Sequence, residues 1–100
     1  MIRHVAVFRF APEFTMEQRE HWMSLLRALP RHIPELRSMT VGPDVLGAPT
    51  SHELAIVADF DDLDGLAAYS RHPAHAEVLK LSAPVKVSLA TVDFEIPDAS

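Results

Sequence analysis

One hundred residues, 48% hydrophobic and 23% charged, make a single domain over residues 1–100 with its own core and exclude a disordered or fibrous chain. There is no cysteine, which removes disulfides, thiolate nucleophiles and zinc-finger spacings. Net charge is −5 and the nine Lys and Arg are scattered, so a phosphate-tracking surface and a nucleic-acid partner are not expected.

Met1-Ile2-Arg3-His4 enters an alternating apolar pattern directly, with no charged leader, long apolar run or small-residue cleavage site. A cytoplasmic protein without a membrane segment is the expectation. Ile2 to Phe10 reads as a strand, with Ile2, His4, Ala6, Phe8 and Phe10 on one face and Arg3, Val5, Val7 and Arg9 on the other. Both faces are apolar at the centre, so something must cover each. Thr15 and Gln18 have the form of a capping box, and Trp22, Leu25, Leu26, Leu29 and Ile33 recur at helical spacing. A helix is predicted from about Met16 to Leu29, ended by Pro30 and Pro34. His21 and His32 fall off or beyond the stripe and read as surface residues.

Leu36 to Val41 is a second strand, with a possible extension to Val45, and Gly47 to Ser51 marks a turn. His52 to Phe60 is a third strand, again apolar at the centre of both faces. The run Asp59-Phe60-Asp61-Asp62-Leu63-Asp64 opens a second helix, capped by Asp61 or Asp62. Its inward stripe is predicted as Leu63, Leu66, Ala67 and Ser70, with Tyr69 at the border. Pro73 restarts helix at its first position, with Ala74, Val78 and Leu81 inward. A last strand runs from Val85 to Glu95, with Val85, Val87 and Leu89 opposing Ser88, Ala90 and Val92, before a tail at Pro97–Ser100 that frays.

This order gives an α+β, ferredoxin-like sandwich: a four-stranded antiparallel sheet with helices on one face. The apolar centre of the other sheet face calls for a second copy across a two-fold axis, so the expected partner is the chain itself.

Met1 to Phe10, Val41-Gly42-Pro43-Asp44-Val45, Phe60-Asp61-Asp62-Leu63 and His72-Pro73-Ala74-His75 together resemble the stress-responsive dimeric α+β barrel family, over nearly the whole chain. The resemblance implies a homodimeric barrel. It extends to the olivetolic acid cyclase-like members, which close a linear polyketide by intramolecular aldol condensation without a cofactor. By that likeness His4, Tyr69 and His75 are the candidate catalytic residues. His72 and Phe8, beside them in the sequence reading, are the candidate substrate contacts.

Proton abstraction beside a carbonyl needs a base poised near neutrality and a donor for the enolate, roles that suit His75 and Tyr69, with His4 binding from the sheet. Against this stands the plainer reading that His72 caps a helix, and that His75 and His4 are hydrogen-bonded structural residues. No third ligand stands at a defined spacing from the histidine pair, so no metal is expected. Three functions follow: a cofactor-free polyketide cyclase-like enzyme, a non-catalytic dimer binding a small hydrophobic ligand or acting structurally, and, by analogy of fold alone, a haem or quinol monooxygenase.

Overall fold

Ile2–Phe10 (β1) lies inside an antiparallel sheet ordered β2-β3-β1-β4, with Ser38–Pro43 as β2, Leu54–Phe60 as β3 and Lys86–Glu95 as β4. The computed structural model describes residues 1–98. Helices Met16–Ala28 (α1), Leu63–Ser70 (α2) and Pro73–Ser82 (α3) complete a ferredoxin-like arrangement, with a 3-10 turn at Leu29–Arg31 after α1. The expected element types are all present, and β2 starts two residues later than its apolar run because Leu36 is spent in the core.

Alternation of side chains divides the sheet as its β1 pattern demands. Ile2, Ala6, Phe8 and Phe10 of β1 and Leu54, Ile56, Ala58 and Phe60 of β3 are buried under the helices. Among the described residues the opposite face carries no helix. Register places Val5 beside Val57 and Val92, and Val7 beside Ala55 and Ala90, in its middle. Val92 and Phe94 stay exposed there, leaving an apolar strip whose burial would be favourable at about 25 cal/mol per Å².

Helix α1 begins where the capping box predicts. The Thr15 hydroxyl accepts from the Gln18 N–H and the Gln18 side chain accepts from the Thr15 N–H, satisfying donors that the first turn leaves unpaired. Its buried face seats Trp22 edge-on against Phe8 and Phe10, with ring centroids 5.4 Å away in each case. The Trp22 indole N–H donates to the Val78 carbonyl at 3.0 Å, tying α1 to α3. Arg19 joins α1 to the end of the sheet: it bonds Glu53 at 2.6 Å and the Phe14 carbonyl at 2.7 Å, and lies over the Phe10 ring. Glu53 also accepts from the Phe10 N–H. Burial opposes its ionisation, yet that amide and Arg19 hold its carboxyl below the usual range.

Four details correct the pattern reading. On α2 the buried residues are Gly65 and Tyr69, while Leu63 is exposed and Ala67 and Ser70 face outward. A Cβ on Gly65 would stand 3.6 Å from both Glu35 and Phe60, so the small residue seats the helix close to the sheet and Tyr69, one turn on, points inward. On α3 the stripe runs through Val78 to Ser82, and Leu81 is half exposed. In β4 a bulge makes Arg9 face Ser88 but Phe10 face Lys86, so Val87 is exposed while Val85 packs on the core. At the tail, Ile96 donates to the Met1 carbonyl and Asp98 pairs with the Met1 amine, so the fraying expected from Pro97 does not hold as far as Asp98. Residues 99 and 100 lie outside the described residues.

Candidate functional site

Tyr69 occupies the middle of a row of three rings. Its centroid is 4.1 Å from His75 and 6.5 Å from His4, and Phe60 supports it from the sheet at 5.2 Å. Strand alternation puts His4 on the helix side of β1, the final turn of α2 delivers Tyr69, and the first turn of α3 delivers His75. Pro73 makes this compactness possible. It occupies the first position of α3, where a missing N–H costs nothing, so only Arg71 and His72 separate the two helices.

The hydrogen bonds assign the imidazole tautomers. His75 Nδ1 faces the Ser70 carbonyl at 3.4 Å; a carbonyl only accepts, so Nδ1 carries the proton and Nε2 keeps its lone pair. His4 Nδ1 lies 2.6 Å from an Asp93 carboxylate oxygen, which only accepts, so this Nδ1 carries a proton as well. His72 is the reverse: its Nδ1 accepts from the Ala74 N–H at 3.0 Å, so Nε2 is the protonated nitrogen. The capping role read for His72 is the one observed.

Burial pushes the His75 ring below its ordinary value, and the neighbouring His4 and His72 add to this, against the bond to Ser70. Its imidazole is thereby kept neutral, the form able to take a proton. Tyr69 is 3% exposed rather than a border residue, and burial pushes its phenol up to about 12. Among the described residues no hydrogen bond to its hydroxyl is found, and no sealed side-chain nitrogen or oxygen lacks a partner. The hydroxyl therefore keeps access to the outside.

Leu89, Thr91, Asp93 and Glu95 share the helix-side face of β4 and are all exposed, so the helix layer stops short of this strand and leaves His4 at the edge of an open strip. Phe8, by contrast, is not brought to the rings. It lies four residues along β1 from His4, roughly 13 Å away at strand rise, inside the aromatic cluster with Trp22 and Phe10. An apolar groove of about 400 Å³ between α1 and α3, lined by Leu25, Leu29, His32, Ala74, Val78 and Leu81, passes beside the site without including the three rings.

Asp93 is the residue that sequence reasoning missed. Nothing local marks it; only the β1–β4 register, which pairs His4 directly with Asp93, reveals that a carboxylate orients the histidine. No helix among the described residues is long and apolar enough to cross a membrane.

Among solved structures, a dimeric ferredoxin-like protein of unknown function from Thermobifida fusca is 38% identical, with a TM-score of 0.86 over 95% of this chain and 90% of its own. A dimeric protein of unknown function with the same fold from Bacteroides fragilis is 29% identical, with a TM-score of 0.78 over 95% of both chains. A hydroxynitrile lyase from Passiflora edulis is 16% identical, with a TM-score of 0.84 over 99% of this chain and 95% of its own, a likeness of fold. Comparison with curated proteins finds no match. The model of the stress-responsive A/B barrel domain matches residues 2–96, and the chain belongs to that family.

Proposed function

We propose that the protein is a cytoplasmic homodimer that carries out cofactor-free proton transfer on a small carbonyl compound, with intramolecular aldol closure of a poly-ketone as the reaction class. The observation that carries the reading is the contact of Tyr69 with His75, 4.1 Å between ring centroids, with His4 and Asp93 completing the row. In this reaction His75 Nε2 takes the proton from the carbon beside the carbonyl. The Tyr69 hydroxyl donates to the oxygen on which the enolate charge collects, a stabilisation of the oxyanion-hole kind. His4 Nε2 accepts from a second hydroxyl or enol of the same substrate, and Asp93 holds the ring in that tautomer. A protonated phenol is needed throughout, and the raised value of Tyr69 supplies one at any pH below about 12.

The dimer in this proposal joins two open sheet faces through Val5, Val57, Val92 and their neighbours. Its support is the apolar strip itself and the dimeric description of two solved relatives. A non-catalytic, ligand-binding dimer is the second reading, favoured by the depth at which Tyr69 is packed between its neighbours.

Turnover of candidate poly-ketone substrates by the wild-type chain, His75→Ala and Tyr69→Phe separates the two. Loss of about 10²–10⁴-fold in each variant is expected for positioned acid–base groups. Turnover retained in both variants refutes the roles given to His75 and Tyr69, and no turnover by the wild-type chain favours the non-catalytic dimer.

A further inference from the structure

Helix α3 starts in an unusual way. Its first residue, Pro73, has no N–H, and the Ala74 N–H is satisfied by an imidazole lone pair, His72 Nδ1 at 3.0 Å. Helix caps are ordinarily Ser, Thr, Asp or Asn, whose side-chain oxygens remain acceptors across the neutral and mildly acidic range. An imidazole does not: once protonated, both ring nitrogens carry hydrogen and neither can accept.

We propose that His72 makes the start of α3 a proton-sensitive joint, closed by the bond from the Ala74 N–H while the ring is neutral and opened when the ring takes up a proton. Protonation would set a ring N–H against the Ala74 N–H and place a cation at the positive end of the α3 dipole. The surroundings do not offset this. Arg71, next along the chain, is an exposed cation. His75 in the same turn and His4 on β1, behind Tyr69, can only add positive charge on acidification. Of the carboxylates on the adjoining elements, Asp93 on β4 is paired with His4, and Glu77 on α3 with Lys80. On the α1 side, His32 lines the groove that Ala74 and Glu77 share. Opening the joint loosens the turn that carries His75, so the consequence for the three-ring row is mechanical and holds whether or not the row is catalytic.

The test is nuclear magnetic resonance on the full chain between about pH 8 and about pH 5, the range in which imidazoles ordinarily titrate. At the upper end the His72 ring should show an unprotonated Nδ1. On acidification the Ala74 amide resonance should follow the His72 ring, and the exchange protection of Ala74 and Ala76, corrected for intrinsic rates, should fall about five-fold, the factor that loss of one cap implies. His72→Asn keeps an acceptor and removes the titration, so its protection should stay level. A protonated Nδ1 at the upper end, unchanged wild-type protection, or an equal fall in His72→Asn would each overturn the proposal. The ring measurement on the wild-type chain decides even if the variant does not fold, and none of these readouts depends on turnover.

Discussion

Tyr69 is the chain's one tyrosine, so its ionisation can be followed by tyrosinate absorbance with no other residue contributing. Burial raises the phenol from an ordinary 10.0 to about 12, and at 1.36 kcal/mol per unit this corresponds to roughly 3 kcal/mol of preference for the neutral form in the fold. The sign follows from linkage. The folded state holds the proton more tightly than the unfolded state, so the contribution is complete below 10.0 and is lost as pH rises from there through about 12. Denaturant unfolding at stepped alkaline pH should show that loss in the wild-type chain. Tyr69→Phe keeps the ring against His75 and Phe60 and removes a hydroxyl that has no partner among the described residues. Its stability near neutral pH should therefore change by less than about 1 kcal/mol, while its alkaline loss should be smaller by the full Tyr69 contribution. An absorbance midpoint near 10.0 in the folded chain, or the same alkaline slope in Tyr69→Phe, would refute the burial argument.

Two further outcomes check the sheet face and the helix start. Val57→Lys places a charge in the centre of the open face, where desolvation in an interface costs several kcal/mol; sedimentation should show the dimer dissociation constant rising at least about 100-fold with helix content unchanged, and an undisturbed dimer would remove this face as the interface. Thr15→Ala removes one half of the capping box and should cost about 1 kcal/mol, a drop in thermal midpoint of about 4–8 °C for a domain of this size, with Thr15→Ser restoring most of it.

Local signals were readable in the sequence, and the structure follows them closely. The alternation in β1 placed His4 on the helix side, Thr15 with Gln18 marked the start of α1, and the acidic run contained the cap of α2, Asp62, which accepts from the Gly65 N–H at 2.8 Å. His72 before Pro73 was legible as a cap for the same reason: each of these depends on neighbours within four positions. The facing of α2 was not legible, because an apolar count favours Leu63 over Gly65 and cannot see that Gly65 sits where even a Cβ would already be in contact with Glu35 and Phe60. Asp93 was hidden more deeply. Its significance comes from a partner 89 positions away, and the bulge between Arg9 and Phe10 shifts any simple count of parity along β4.

The pairing of the first strand with the last sets the order in which this domain is built. Closing a loop costs entropy that grows as the logarithm of its length, and chains dominated by such distant pairings fold in milliseconds to seconds rather than microseconds. The hairpin of β2 and β3 can form early, since its strands are close in the chain. β4, separated from β1 by most of the chain, is expected to pair late. Like β2 it is held on one edge only, and it is exposed along its length, so it should be late to zip on and early to peel away. His4 then gains its carboxylate only in the final step of folding, and maturation of the ring row should lag behind burial of Trp22 as read by fluorescence.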